Sequence, residues 1–417
     1  MTHSEIDYPR LRAIDARPIT ENGRQYILLH DPLQLCDHNL IIPSPLHLVL
    51  PLCDGTRQDA QALGASLAVR YGVQIPLSAI TQLLQALDET CLLENQTYFE
   101  ACTRAVDLYR HAAYRPAASA GLSYPDDPGE LEQLLDGYLA ALPDAPNPAG
   151  EIRGLISPHI DYERGGPLYA QVWKQAEGAA KDADLVLILG TDHNGSAGSL
   201  TLTRQHYATP YGVLPTAVDV IDGLAQSLGQ SASFVQELHH RTEHSIELAA
   251  VWLHHMRGGE PCELVPILCG SFHRYAQEGE DPAQDAHLNR ALHTLRETTQ
   301  GRRMLVVAAA DLAHVGPAFG DPPLDAVKRA ELQAADKALL AQVCAGSAEG
   351  FLDEIRRVED RYHVCGVPPI YLMLRLLEPV QGRLTAYDLC PADEQGTSQV
   401  SICGAVLADG QSKGDPL

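Results

Sequence analysis

The sequence predicts an α/β domain preceded by a small winged-helix-like unit. Three observations predict this. Short apolar runs, EIRGLISPH, DADLVLILGTDH and GRRMLVVAAADLAH, alternate with helical stretches such as GPLYAQVWKQAEGAA and HSIELAAVWLHHM, which is the order of strands and covering helices in an α/β sheet. Two short helical patterns lie ahead of that alternation. The composition of the 417 residues is that of an ordinary globular chain, 45% hydrophobic and 20% charged, long enough for two or three domains.

Along the chain, residues 1–23 are expected as an N-terminal segment and residues 24–100 as the winged-helix-like unit. In DGTRQDAQALGASLAVRYG, Asp54 and Thr56 are cap candidates, Leu63, Leu67 and Tyr71 recur at helical spacing, and Gly72 is a stop. PLSAITQLLQALDETCLLEN repeats the pattern, opened by Ser78 or Pro76, with Leu83, Leu84 and Leu87 inside. A polar-aromatic strand, NQTYFEA, is expected to close the unit. A helical connector and linker follow at 101–114, then the large domain at 115–408 and a flexible tail at 409–417.

Charge narrows the function. Lys plus Arg is 30 and Asp plus Glu is 54, a net charge of −24. So acidic a chain has little positive charge to displace counterions from a phosphate backbone or to dock on anionic lipid. Between Arg24 and Tyr98 the winged-helix-like unit holds Arg24, Arg57 and Arg70 against seven acidic residues, so a peptide or protein contact, or packing on the larger domain, is expected there and nucleic acid is not. No run approaches the ~18 apolar residues of a membrane span, and MTHSEIDYPRLRAIDARPIT has no apolar signal region. A cytoplasmic location is expected, and most of the ten scattered cysteines read as small buried hydrophobes.

The chemistry lies at the strand ends. Ser157-Pro158-His159, Thr191-Asp192-His193 and Asp311-Leu312-Ala313-His314 each place a histidine after an apolar run, and His363-Val364-Cys365-Gly366 adds a thiol. A lone buried histidine is usually satisfied by hydrogen bonds, and a lone cysteine is usually core. Three strands that end in Gly, Pro, Asp and His, where a core prefers Val, Leu or Ile, point instead to a site in the crevice at the carboxyl ends of the strands. Imidazole with thiolate suits iron, copper or zinc and disfavours magnesium and calcium. Dispersed ligands suit an open or exchangeable site. Glu243 and Glu247, at i and i+4, are expected on one helix face. His239, His240, His254 and His255 resemble a metal-binding tract in composition, yet on helix ends they are expected to be solvated. No phosphate-binding glycine motif appears, and Ser196 and Ser245 lack the surroundings of a nucleophile.

Seven phrases, "ASAGLSYPDDPGELEQLLDGYL", "ISPHIDYERGGPLYAQVWKQ", "LILGTDHNGS", "EHSIEL", "ELVPILCG", "AADLAHVG" and "VCGVPPIYLML", occur in the order of the Memo family, called AmmeMemoRadiSam system protein B in bacteria and archaea. The resemblance runs from about Arg115 to Leu407. It implies a fold similar to the class III extradiol dioxygenases and a mononuclear iron(II) or copper site with His159, His193 and Cys365 as ligands, zinc being less favoured. It also implies a general acid/base role for His314, with Asp311 orienting it, and makes His244 a site-lining residue. The chain departs from the family pattern at Asp161, an extra carboxylate in the first loop expected to face solvent, and at Asn194. It also departs at Val367-Pro368-Pro369, which lacks the basic pair of some relatives. The unit at 24–100, through the phrase "LCDGTRQDAQALGASLAVRYGVQIPLSAITQLLQALDETCLLE" (52–94), resembles PqqD-like domains, which present peptides to modifying enzymes.

Three functions follow as expectations. The first is a non-haem, dioxygenase-like oxidoreductase, with open metal positions for dioxygen and substrate. The second is a copper- or iron-binding protein without turnover, since a thiolate in place of a carboxylate favours Cu(I). The third is a component of a modification system, with radical SAM and Amme-type partner proteins and a peptide ligand on the N-terminal domain. A zinc hydrolase is a weaker fourth.

Overall fold

The computed structural model describes residues 7–143 and 151–410. The chain divides into two compact units, 1–111 and 112–417. No helix among the described residues is long and apolar enough to cross a membrane.

The first unit puts its sheet ahead of its helices. Strands β1 (Asp15–Glu21), β2 (Arg24–His30) and β3 (Leu40–Pro43) form an antiparallel sheet. Asn22 and Gly23, both at positive φ, make the two-residue turn between β1 and β2, the geometry that matches strand twist. Part of the expected N-terminal segment is therefore an edge strand of this unit. Helices Ala60–Tyr71, Leu77–Glu89 and Gln96–His111 follow. Leu63, Leu67, Leu83, Leu84 and Leu87 are buried with Leu29, Ile42 and Leu52. The first helix is capped by Asp59, whose side chain accepts from Ala62 N, and ends on Gly72 at φ 67°. Asp54 and Thr56 instead bond each other and Arg57 just upstream.

NQTYFEA is not a strand. Asn95 accepts from Tyr98 N at 3.2 Å, and Ala101, Ala105 and Tyr109 recur every four residues on a buried stripe. Capping and the helical stripe override the β preference of Thr-Tyr-Phe. The expected connector from residue 101 is the continuation of this helix to His111.

The second unit is built on a mixed sheet. Its strands are β4 (Ile152–Ser157), β5 (Leu185–Thr191), β6 (Leu200–Leu202), β9 (Glu263–Cys269), β10 (Met304–Ala309), β11 (Asp311–Val315), β12 (Val380–Pro391) and β13 (Gln399–Asp409). A separate hairpin holds β7 (Tyr207–Thr209) and β8 (Gly212–Leu214). The sheet order is β11-β13-β4-β10-β5-β9-β6, with β12 on β13. The central four, β4-β10-β5-β9, are parallel. β5 is buried at all seven positions, as expected of a parallel strand covered on both faces. Its residues alternate between two cores: Leu185, Leu187 and Leu189 face one, Val186 and Ile188 the other. Each such side chain contributes roughly 1.5–3 kcal/mol relative to exposure. Helices Val218–Leu228, Ala286–Thr298, Ala326–Cys344, Ala348–Arg357 and Val367–Leu377 cover the first core. Helices Pro128–Ala140, Tyr162–Gln175 and Ser245–Met256 cover the second.

Two sequence expectations change here. The run ending in His314 is two strands, β10 and then β11, which pairs antiparallel with β13. His314 thus stands inside a short strand and not in a loop after a parallel one. Of the tail expected at 409–417, Asp409 ends β13, and residues 411–417 lie outside the described residues.

Candidate metal centre

Three histidine rings converge where β4 and β5 end. His159 follows β4, His193 follows β5, and His244 precedes the helix Ser245–Met256. Their ring centroids lie 5.2 Å (His159–His193), 5.5 Å (His159–His244) and 5.1 Å (His193–His244) apart. Cys365 arrives from the loop before the helix Val367–Leu377, with Sγ 3.4 Å from His159 Nε2. Donor atoms of His159, His193 and Cys365 all lie within 4.8 Å of one another; the same holds for His193, Glu243 and His244.

The surrounding bonds fix which nitrogen faces inward. His159 Nδ1–H donates to Ala309 O at 3.0 Å, which leaves Nε2 toward Cys365. His193 Nδ1–H donates to Glu243 Oε2 at 3.0 Å, and the ring also bonds the Cys365 thiol. Histidine ligands are commonly held this way by a carboxylate or carbonyl on the second nitrogen. Glu243 also lies 3.2 Å from His244 Nδ1 through Oε1 and accepts from Ser245 N at 3.0 Å. The centre is open on one side: the His193 and His244 side chains are 34% and 43% exposed, against 2% for His159.

Electrostatics separates the rings. Burial, then His193 and His244, holds His159 well below the ordinary imidazole value. Burial also lowers His244, against the pull of Glu243. At His193 burial opposes the proton, but Glu243 and the Cys365 thiol outweigh it and raise the ring well above its ordinary value. Burial pushes the Cys365 thiol up, offset in part by its bond with His193.

Asp311 and His314 behave differently from expectation. Asp311 Oδ1 accepts from His159 N at 2.8 Å and Ile160 N at 3.2 Å, so its carboxylate holds the loop that follows β4. His314 Nδ1–H donates to Leu312 O at 3.1 Å and not to Asp311. Its ring packs edge-on against Phe319 at 5.1 Å. Burial brings its pKa down to about 4, with the Asp311 charge pulling the other way. Asp161 caps the helix Tyr162–Gln175 through Arg164 N and pairs with the Arg164 guanidinium at 2.6 Å, so it serves the helix and not the centre.

Glycine sets the approach of Cys365. A Cβ on Gly366 would stand 2.3 Å from Asp311 O and 2.5 Å from Ala310 Cβ, so the Cys-Gly pair lets the loop lie against the end of β10. A Cβ on Gly190 would stand 2.5 Å from Ile246 Cγ1, so this glycine of β5 admits the helix that follows Glu243 and His244.

The two carboxylates of the EHSIEL phrase part company. Glu243 precedes the helix and serves the histidines. Glu247, fully buried, pairs with Arg115 Nη1 at 2.5 Å, Arg115 also being fully buried. Glu247 further accepts from Ala118 N, Ser119 N and Tyr124 Oη. Arg115 in turn donates to the carbonyls of His240 and Glu243, which anchors the backbone on which Glu243 stands. The expected solvated histidines are mostly structural. His240 is buried between Tyr207 Oη and Thr201 O, and His254 between Thr209 Oγ1 and Gly259 O. His239 Nδ1 lies 2.9 Å from both oxygens of Asp192, the residue before His193. This Asp–His pair carries no signal in the sequence, because its partners are 47 positions apart.

Residues 115–406 match the family model described as Memo-like protein. The chain belongs to the Memo family. A MEMO1 family protein of Aquifex aeolicus is 23% identical over 96% of this chain and 99% of its own length, a likeness that reaches into the N-terminal unit. A MEMO1 family protein of Thermus thermophilus is 26% identical over 77% of this chain and 90% of its own. A protein memo-1 homolog of Caenorhabditis elegans is 26% identical over 63% and 71%. In this Memo-family chain, every motif residue named above as a ligand candidate lies at the one cluster of rings.

Proposed function

We propose that the second unit is a mononuclear redox metal centre of dioxygenase-like type, with iron or copper held by His159, His193 and Cys365. The observation that carries this reading is the donor set: two imidazoles with their outer nitrogens already engaged, and a thiol 3.4 Å from one of them. Imidazole and thiolate together fit a first-row transition metal and not a hard, oxygen-loving cation. Bound there, the metal would supply one-electron chemistry with dioxygen or peroxide. The chain's own residues do the rest. Asp311 fixes the His159 loop through two backbone N–H groups, and Glu243 orients His193. His244, on the exposed side, borders the space where a substrate would enter. His314 is neutral at pH 7 because of its burial, and a neutral imidazole is the form that accepts a proton.

The Cys365 thiolate supports a second reading, sequestration of Cu(I) without turnover, because sulfur softens the site. One experiment separates these. Metal content is measured on protein purified without added metal, beside His159→Ala and Cys365→Ala. Iron at about one equivalent, absent from both variants, supports the redox centre. Copper at that level moves the reading to sequestration. An untouched metal content in the variants, or none in the parent after anaerobic reconstitution, overturns both.

A further inference from the structure

A file of aromatic side chains leads from the ligand loop to the surface of the second unit. Tyr169 Oη donates to the carbonyl of Ile160, the residue after His159, at 2.9 Å. The Tyr169 ring stacks on Trp252 at 5.8 Å with 6° between planes, and both are fully buried. Trp252 meets His255 edge-on at 5.9 Å, and His255 lies 5.8 Å from Tyr211. Tyr211, half-buried, bonds His255 Nδ1 at 3.1 Å, and His255 Nε2 lies 3.2 Å from Asp136, a carboxylate 63% exposed.

The polar groups along this file differ in a way packing does not require. Trp252 Nε1 has no hydrogen-bond partner among the described residues. An oxidised Trp252 therefore has no base to take its proton, and would not hold the oxidation. Tyr169 gives its hydrogen bond to a carbonyl, also a poor base. Tyr211 alone on the file couples its hydroxyl to an imidazole backed by a carboxylate, so losing an electron and losing a proton can occur together there. Each element thus favours passage over storage until the surface is reached.

We propose that Tyr169, Trp252 and Tyr211 form an electron relay that carries oxidising equivalents away from the metal ligands to a surface tyrosine, where a small thiol reductant quenches them. The inference rests on the redox reading above. Reduction of hydrogen peroxide to two waters takes two electrons and two protons. Tyr211 supplies one electron through Trp252 and Tyr169, the other coming from the reduced metal. The Tyr211 phenolic proton passes to His255 Nδ1 as the Nε2 proton leaves by Asp136, and solvent provides the protons consumed. A thiol then returns a hydrogen atom to the Tyr211 radical, a second thiol gives the metal back its electron along the same file and its proton to solvent, and the two thiyl radicals couple to a disulfide.

The test is peroxide added to the iron-loaded full chain, with metal content verified on the same sample, followed by freeze-quench electron paramagnetic resonance and peptide mass spectrometry. The parent should give a tyrosyl signal and little oxidation of His159, His193 and Cys365. Tyr211→Phe, which removes only one half-buried hydroxyl, should lose the signal and gain oxidation at those ligands. Trp252→Phe should do the same if it folds. Tyr124, which stacks on Tyr162 and bonds Glu247 deep in the core, is the competing terminus, and Tyr124→Phe should leave the signal intact. A signal that survives Tyr211→Phe, or one lost in Tyr124→Phe, overturns the relay. So does a metal-loaded parent with no radical. A chain that takes up no metal overturns the redox reading and the relay with it.

Discussion

Glu243 Oε2 receives the Nδ1–H of His193, and Oε1 lies beside His244 Nδ1, so one carboxylate sets the orientation of two rings. It is almost fully buried, and the charges of His193 and His244 outweigh its burial and hold its carboxyl well below the usual range. Glu243→Gln keeps the shape but offers an amide N–H where an acceptor is needed. Metal affinity is expected to fall roughly 10- to 100-fold, as for other carboxylates behind a ligand histidine, read by competition with a coloured chelator. Unchanged affinity would mean that the backbone alone orients His193. That His159, His193 and Cys365 would come together was readable from the sequence because each residue closes an apolar run or precedes a glycine. Glu243 was not, because helical spacing pairs it with Glu247, whereas the chain turns between them and sends the two carboxylates to different partners.

At the scale of elements, the parallel strands announce themselves as continuous apolar runs, and their ends carry the chemistry. One error lies where pairing is decided far away in sequence, the other at a local cap. β11 reads as the tail of β10, yet it is a separate strand because β13 supplies its partners, Asp311 opposite Ile402 and His314 opposite Val400. NQTYFEA reads as a strand until the Asn95 cap is considered. The Cys365 loop is tied just as remotely, since Gly366 lies against the Asp311 carbonyl. Gly366→Ala is expected to destabilise the fold by about 1–3 kcal/mol, the usual cost of overpacking, and to lower metal occupancy by moving Cys365. Thermal melting and metal stoichiometry check the two effects on one sample. An alanine variant with parental stability and full occupancy would show that the loop has slack.

For the molecule as a whole, several histidines stay neutral because they are buried. Burial brings His240 down to about 3, with Arg115 lowering it further, and lowers His254, His255 and His287 as well. Unfolded, each takes up a proton below about pH 6.5. The native state refuses it until a lower pH, so the stability these rings contribute is fully present above pH 6.5 and is lost as the solution is acidified. His240 alone should contribute about 1.4 kcal/mol per pH unit across the window from 6.5 to about 3. His240→Gln should flatten the dependence of unfolding free energy on pH by about one proton, measured by denaturant titration between pH 7 and pH 5. An unchanged slope would show that His240 is already protonated in the native state. The buried Arg115–Glu247 pair has a consequence for anyone dissecting the chain. The second unit begins at Ala112, and the first of its charges to be sealed inside is Arg115, three positions later. A fragment that starts even at Pro116 would strand the Glu247 carboxylate in the interior with no counter-ion, at a penalty of about 3–5 kcal/mol. Excision is therefore safe only on the amino side of Arg115, a margin of three residues.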